Sequence, residues 1–220
     1  MSLVTGYDGQ VTVGGPAQTR QVDGVSITKV AVGPMENNAY LLRDQRSGAG
    51  VLIDAADEPE RLIDLAGDRL DLVVTTHRHA DHWQGLAQVI AATGAGTAAG
   101  RADVDGIPVP TDRPLDDNDV LTVGAVVLRV RSVAGHTPGG IVLSYRAQDG
   151  RVHLFTGDSL FPGGVGHTWS PDDFTRLLDD VETKIFAELP DDTWVYPGHG
   201  ADTTLGAERP DLPAWRARGW

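Results

Sequence analysis

Short runs of apolar and β-branched residues alternate with segments rich in Gly, Pro and Asn along the first half of the chain. Runs of this length between turn residues are typical of strands, whereas apolar residues spaced three or four apart indicate a helix. The strand pattern occurs at Val25–Val32, Ala39–Arg43, Gly50–Asp54 and Leu70–Thr75. The helix pattern occurs at Glu58–Ala66 and His82–Ala92. This half is therefore strand-rich and closed by helices.

The second half of the chain repeats this pattern. Further strands are predicted at Val120–Val123, Ala125–Val133, Ile141–Arg146, Arg151–Thr156 and Thr193–Tyr196. Before the last of these, Ser170 and Pro171 suit the start of a helix, and apolar residues from Phe174 to Leu189 form one stripe. Two such halves predict an α/β protein in which two sheets pack face to face with helices outside.

No low-complexity linker separates the two halves, so we interpret residues 1–220 as one domain. Residues 1–20 are polar and glycine-rich, and we expect them to form a loose lead-in. The C-terminal tail, residues 201–220, is too short for a further domain. Its Trp215 and Trp220 are expected to pack on the body of the protein or on a second copy of the chain.

Charge and composition narrow the range of functions. The chain has 18 Lys and Arg against 31 Asp and Glu, a formal net charge of −13, whereas proteins that bind nucleic-acid backbones are usually basic. No segment approaches the roughly 20 apolar residues that span a bilayer, and the N-terminus does not have the pattern of a signal peptide. We expect a cytoplasmic monomer or homodimer that acts on a small molecule, without nucleic-acid or membrane partners.

Four candidate metal ligands lie within six residues, between a predicted strand and a predicted helix. They are His77, His79, Asp81 and His82. A loop can bring these side chains together, whereas a continuous strand would place His82 on the opposite face from the others. The chain contains no cysteine, so a metal site would have to use imidazole and carboxylate ligands. Zn²⁺, Fe²⁺ and Mn²⁺ all accept such ligands.

Three more candidates follow predicted strands, and each stands beside glycine, which permits a sharp turn. They are His136, Asp158 and His199. Together with the first four they predict a metal site. His153 lies within a predicted strand, and we interpret it as a surface or hydrogen-bonded core residue rather than a ligand. For Asp54 and Thr76 two interpretations stay open: they orient the imidazoles, or they are only structural.

From about Val25 to His199 the sequence resembles the metallo-β-lactamase superfamily, whose ligand motifs occur here in the same order. The resemblance implies a four-layer αβ/βα sandwich with a binuclear site at the edge of its sheets. It implies that His77, His79 and His136 hold one divalent ion. Asp81, His82 and His199 would hold the second, and Asp158 would bridge the two. Zn²⁺ is the expected metal, with Fe²⁺ or Mn²⁺ as alternatives.

Within the superfamily, the segments 38–41, 156–161 and 196–200 resemble glyoxalase II-type thioester hydrolases. True β-lactamases resemble the chain less, because their zinc sites commonly use a cysteine. The resemblance implies that a metal-bridging hydroxide attacks the thioester of a small thiol and that Asp81, as the catalytic residue, accepts or returns a proton. The loop from Phe161 to Trp169 should border the pocket, where His167 and Trp169 either contact substrate or only pack locally.

Glyoxalase II also carries a C-terminal helical domain that binds glutathione, for which we expect no counterpart in residues 201–220. Glutathione specificity is therefore not expected. The arginine-rich, lysine-poor composition suggests a source that uses mycothiol or a similar thiol in place of glutathione. Two alternatives stay open. One is a mononuclear non-haem iron persulfide dioxygenase that uses His77, His136 and Asp158. The other is a scaffold without catalysis, although all seven ligand positions are occupied by ligand residues.

Overall fold

The computed structural model describes residues 6–219, so the start of the predicted lead-in and Trp220 lie outside it. Seven strands form the first sheet, in the same order in space as in sequence. They are β1 (Gln18–Val22), β2 (Val25–Val32), β3 (Asn37–Asp44), β4 (Gly50–Ile53), β5 (Leu72–Thr75), β6 (Gly96–Gly100) and β7 (Arg113–Leu115). The first four strands pair antiparallel, and β4 to β7 pair parallel.

Six strands form the second sheet. They are β8 (Val120–Val123), β9 (Val126–Ser132), β10 (Ile141–Arg146), β11 (Val152–Gly157), β14 (Trp194–Pro197) and β15 (Thr203–Thr204), in the spatial order β15-β14-β11-β10-β9-β8. A small hairpin of β12 (Leu160–Phe161) and β13 (Gly164–Val165) follows β11. The pair β11–β14 is parallel, so the carboxyl ends of these two strands lie side by side.

Helices cover the outer face of each sheet. They are α1 (Pro59–Ala66), α2 (Leu86–Thr93), α3 (Pro171–Asp180), α4 (Leu205–Glu208) and α5 (Leu212–Arg218), with 3-10 turns at Ala80–His82, Arg101–Gly106 and Arg209–Asp211. The Ser170 hydroxyl accepts the Asp173 N–H at 3.1 Å, which confirms the predicted N-cap of α3. This helix continues as π-helix over Val181–Phe186. Within residues 6–219, no helix is long and apolar enough to cross a membrane.

Three apolar clusters show how these elements pack. One lies between the two sheets and joins residues such as Ile53 and Phe155. A second packs α1 and α2 on the first sheet, and a third packs α3 and the C-terminal helices on the second sheet. The result is helix, sheet, sheet, helix, which confirms the predicted four-layer αβ/βα sandwich.

Two features of the helices differ from the prediction. His82–Ala92 is not one helix, because α2 begins only at Leu86. The Gly85 N–H donates to the Ala55 carbonyl at 3.0 Å, and His82 is bound to Asp54, so the chain makes a separate turn first. The tail forms short helices that the sequence did not reveal. Trp215 is buried there against Phe186, with ring centroids 6.3 Å apart, so this part of the tail packs on the body as expected.

A buried ion pair joins the N-terminal segment, β2 and the turn after β14. Lys29 Nζ donates to the carbonyls of Gly9 (2.7 Å) and Gly200 (2.8 Å) and to Asp202 Oδ1 (2.6 Å). The other oxygen of Asp202 accepts from the Tyr7 hydroxyl at 2.7 Å and from the Trp194 indole at 2.8 Å. Both charges are therefore fully hydrogen-bonded where water does not reach.

We predict that Lys29→Ala lowers the free energy of unfolding by about 3–5 kcal/mol, because it leaves the buried Asp202 carboxylate without its counter-charge. Urea unfolding followed by circular dichroism measures this loss. The control is Arg101→Ala, which removes an ion pair with Asp116 in which both side chains are exposed. This control should unfold like the wild type. Equal losses in the two variants would contradict the prediction.

Candidate metal centre

The first four predicted ligands follow β5 in a loop whose two ends are hydrogen-bonded to Asp54. The Asp54 carboxylate accepts the Thr76 N–H at 2.7 Å and the Thr76 hydroxyl at 2.8 Å. It also binds Nδ1 of His82 at 2.8 Å. Asp54 itself adopts the left-handed conformation, with φ at 59°. Asp54 therefore fixes both the start of the loop and the orientation of its last imidazole, which settles its role as an orienting residue.

Four of the imidazoles are bound through Nδ1 by an oxygen atom behind them. The pairs are His77 with Thr76 Oγ1 (3.1 Å), His82 with Asp54 Oδ2 (2.8 Å), His136 with the His167 carbonyl (2.6 Å) and His199 with the Met35 carbonyl (2.9 Å). The Thr76 hydroxyl donates its only proton to Asp54, so its oxygen accepts from His77. In a neutral imidazole this arrangement places the proton on Nδ1, so the lone pair of Nε2 can bind a cation. In His136 that lone pair faces His79 Nδ1 at 2.9 Å.

The structure brings all seven predicted side chains together at one edge of the sandwich. Their ligand atoms form three groups, and the atoms of each group lie within 4.8 Å of one another. The groups are His77, His79 and His136; His77, His82 and Asp158; and Asp81, His82 and His199. The first and third are the two ligand sets that the resemblance implies. Asp158 lies between them, with Oδ2 3.6 Å from His136 Nε2 and 3.5 Å from His199 Nε2.

Three buried atoms at the centre show that these residues fit a cation. Nε2 of His77, Nε2 of His82 and Oδ1 of Asp158 make no hydrogen bond of good geometry within residues 6–219, although the last two atoms lie 3.3 Å apart. A buried polar atom without a partner costs about 1–3 kcal/mol, so three in one place need an explanation. All three are electron-pair donors when the imidazoles are neutral. A divalent ion that accepts imidazole and carboxylate ligands would satisfy them together.

The imidazoles of the first ligand set favour the neutral form. Burial lowers the pKa of His77 well below its ordinary value, and the neighbouring His82 lowers it further. Burial likewise lowers the pKa of His79, and repulsion from His136 and His82 lowers it further. Burial and repulsion from His82 also lower the pKa of His136. Neutral imidazole is the form that binds metal, so this set needs little deprotonation before it can act as a ligand.

The carboxylates stay ionised and raise the pKa of the other two imidazoles. The hydrogen bond from His199 holds the pKa of Asp81 below its ordinary range. Burial works against ionisation of Asp158, but His199 and His82 outweigh it and keep its pKa low. Burial would lower the pKa of His82, yet Asp54 and Asp158 raise it to about 10. Asp158 and Asp81 raise that of His199 to about 9. Positive charge is thus favoured beside both carboxylates.

Glycine at position 198 is what lets the last ligand approach the centre. A Cβ at Gly198 would collide with Asp158 Oδ1. Gly198 also donates its N–H to the Gly157 carbonyl at 2.8 Å, which joins the ends of β14 and β11. Because the position must be glycine, His199 and Asp158 can share one space although they come from different strands.

Two residues that support the site were not predicted from the sequence. Asn37 Nδ2 donates to Asp81 Oδ2 at 2.9 Å and lies 3.3 Å from His199 Nε2. Buried Asp103 accepts the Arg78 N–H (3.0 Å), the Thr137 hydroxyl (2.6 Å) and the Gly139 N–H (2.8 Å), so it joins the loops that carry His79 and His136. Asn37 directly precedes the segment 38–41, which was a usable signal. Asp103 stands in no motif.

The remaining histidines differ from each other. His153 is buried on β11, with Nδ1 2.8 Å from the Tyr196 hydroxyl, which confirms it as a hydrogen-bonded core residue. His167 is exposed in the loop after β13, and its ring packs edge-on against Trp169 with centroids 4.8 Å apart. Its carbonyl, rather than its ring, reaches the centre through His136.

Comparison with known proteins agrees with this geometry. Residues 32–199 match the Metallo-beta-lactamase superfamily, and the chain belongs to that superfamily. A hydroxyacylglutathione hydrolase from Fuscovulum blasticum is 36% identical over an alignment of 172 residues. The alignment covers 74% of this chain and 62% of that protein, so the chain spans less than two thirds of its relative.

Two solved structures are similar over most of both chains. TTHA1623, crystallised in a di-iron-bound form, is 30% identical with a TM-score of 0.68, covering 82% of this chain and 96% of that one. ETHE1 from Myxococcus xanthus is 27% identical with a TM-score of 0.73, covering 87% of this chain and 84% of that one. These similarities support the four-layer sandwich fold. The metal and the substrate have to be inferred from the residues of the site.

We predict that Asp158→Ala abolishes binding of both ions, because this carboxylate faces both ligand sets. His199→Ala should retain one ion per chain, because it removes a ligand of the second set only. Elemental analysis of purified protein dialysed against zinc or iron measures both. The control is His153→Gln in the core, which should bind as much metal as the wild type. Equal metal loss in the Asp158 and His199 variants would contradict the assignment.

Proposed function

We propose that this protein is a binuclear metal-dependent hydrolase that cleaves thioesters of a small thiol. The observation that carries the proposal is the second ligand set. Asp81 Oδ2 lies 3.5 Å from His82 Nε2 and 3.4 Å from His199 Nε2, and these atoms converge as closely as those of the first set. A centre built for one ion would not need them. The similarity to a hydroxyacylglutathione hydrolase supports the same reaction class.

Two divalent ions in this site would polarise the carbonyl of the substrate and lower the pKa of a bound water toward ~7. The chain's own residues position and move the proton. Asn37 donates to Asp81 Oδ2 at 2.9 Å and holds this carboxylate in place within the second set, where it can accept the proton of the attacking water. A thiolate leaves without needing a strong general acid, so this single carboxylate suffices for a thioester.

A second candidate is the mononuclear iron persulfide dioxygenase. It is favoured by His77, His136 and Asp158, which offer two imidazoles and one carboxylate to a single iron, with His136 Nε2 3.6 Å from Asp158 Oδ2. A centre with a single iron, however, assigns no ligand role to Asp81, His82 and His199. For this reason we prefer the hydrolase.

Turnover distinguishes the two candidates. We predict that metal-loaded protein cleaves S-lactoyl and S-formyl thiols, and that it consumes no oxygen when given glutathione persulfide. A chromogenic disulfide measures thiol release from the thioesters, and an oxygen electrode measures oxygen uptake with the persulfide, both on the same preparation. Asp158→Ala, expected to lack both ions, serves as the inactive control. Oxygen uptake without thioester cleavage, together with one iron per chain, would replace the hydrolase by the oxygenase.

We also propose that the protein acts on small molecules rather than on nucleic acid, since the net charge is −13. Phosphate backbones are bound through Lys and Arg with strong salt dependence. We predict no salt-sensitive shift of RNA or duplex DNA in a gel assay at physiological ionic strength. A shift at micromolar protein that weakens with added salt would point to a nuclease instead.

A further inference from the structure

A cavity of about 170 Å³ opens beside the first ligand set, next to the rings of His79 and His136. Two arginines and an exposed indole line it, together with one acidic side chain. These residues are Arg78, Trp169, Asp173 and Arg176. Two cationic side chains at one small cavity are notable in a chain of net charge −13.

Arg78 is held in place by its backbone and its aliphatic stem, while its guanidinium forms one long ion pair with buried Asp103. Its N–H donates to Asp103 and its carbonyl accepts from the Trp83 indole at 2.8 Å. Its stem packs where a Cβ at Gly106 would collide with it. The guanidinium lies 3.9 Å from Asp103 Oδ1, beyond hydrogen-bond distance, and the side chain is 45% exposed. Arg78 therefore retains most of its donors for a ligand.

Arg176 reaches the cavity because helix α3 packs closely on the loop that carries His136. Gly135 has φ at 138°, and a Cβ there would collide with the Asp173 carbonyl. This contact places the first turns of α3 directly over the loop. Arg176 follows Asp173 by three residues and lies on the same side of the helix. Within residues 6–219 its guanidinium has no hydrogen-bond or ion-pair partner.

We propose that this cavity binds a carboxylate of the substrate between Arg78 and Arg176. The inference rests on the proposed function, because it places this carboxylate on a thioester whose carbonyl lies over the metal centre. Asp173 is engaged by the Ser170 hydroxyl at 2.7 Å, and buried Asp103 lies 3.9 Å from the Arg78 guanidinium, so two carboxylates limit the positive charge of the cavity. A cavity of limited positive charge suits a carboxylate better than a phosphate, which carries nearly two negative charges at pH 7.

The cavity also sets the size of the group it accepts. Its 170 Å³ holds a carboxylate with a short aliphatic stem and is too small to enclose a nucleotide. Trp169 is 66% exposed, with its ring 6.4 Å from that of His79, and forms one wall over which such a stem can lie. The substrate class is therefore a thioester with an anionic carboxylate a few bonds from the reacting carbonyl. Guanidinium pairs bind carboxylates in this way with directed, charge-assisted hydrogen bonds.

Matched substrate pairs test the proposal. One pair places the group on the thiol: the S-lactoyl esters of 3-mercaptopropionate and of its amide. The other places it on the acyl part: S-succinyl and S-succinamoyl N-acetylcysteamine. In at least one pair, the zinc-loaded protein should cleave the carboxylate with roughly tenfold or higher kcat/KM than the neutral partner. Arg176→Gln and Arg78→Gln should each remove this preference, so that the ratio of kcat/KM between the two partners falls toward one.

The matched control is Arg129→Gln, which removes an exposed arginine of β9 that lies outside the cavity and should keep the preference. A second readout does not depend on turnover. The thioether analogue of each carboxylate is titrated into zinc-loaded protein by calorimetry, beside its amide and its phosphonate. The carboxylate should bind most tightly, and Arg176→Gln should weaken it by a similar factor.

The outcomes separate this inference from the proposed function. Cleavage of both members of each pair at equal rates, or a preference that survives both arginine variants, overturns the carboxylate site and leaves the hydrolase intact. Tighter binding of the phosphonate also overturns it. If no thioester is cleaved, the hydrolase fails, and calorimetry still decides whether the arginine pair binds a carboxylate.

Discussion

Five imidazoles and two carboxylates converge at one edge of this sandwich, and the rest of the molecule is arranged to hold them there. Such a cluster is costly because its buried atoms lose water and its like charges repel. Hydrogen bonds to the side of four of the rings that faces away from the centre offset this cost. Asp54, through three hydrogen bonds, positions both the start of the His77 loop and the ring of His82. Backbone carbonyls do the same for His136 and His199. The inner atoms are thereby left for a cation.

The two halves of the chain depend on each other at this edge. The Ile141 N–H donates to the Thr76 carbonyl at 3.0 Å, and the Tyr40 hydroxyl donates to the Pro197 carbonyl at 2.7 Å. Asn37 forms an isolated bridge with His199. Strands of the first sheet thus fix ligands that belong to the second. The apolar cluster between the sheets holds these elements at a constant distance, since close-packed interiors resist displacement.

In the proposed hydrolase, the ligands and the selectivity of the site would reside in different residues. The ligand sets would act on any carbonyl brought to them, so they would choose a reaction type rather than a substrate. Under this proposal, the substrate is selected by side chains that bind no metal and face the same space. Arg78 lies between two ligands in sequence, and Arg176 belongs to a helix whose start is set by Ser170. Neither guanidinium hydrogen-bonds to a metal-ligand side chain, and Arg78 takes part in the network behind the ligands through its backbone N–H, which a substitution of the side chain retains.

The sequence by itself determined the strands that carry long apolar runs, the cap of α3, and all seven side chains that meet at the centre. These signals are local, because each depends on residue types at short spacing. Only the tertiary structure decided where α2 begins, which acceptor orients each ring, and that Asp103 joins two loops. The strand β6 (Gly-Thr-Ala-Ala-Gly) and the tail helices also lacked a local pattern. The parallel neighbour β5 and the pocket around Phe186 stabilise these elements, and such contacts join residues far apart in the chain.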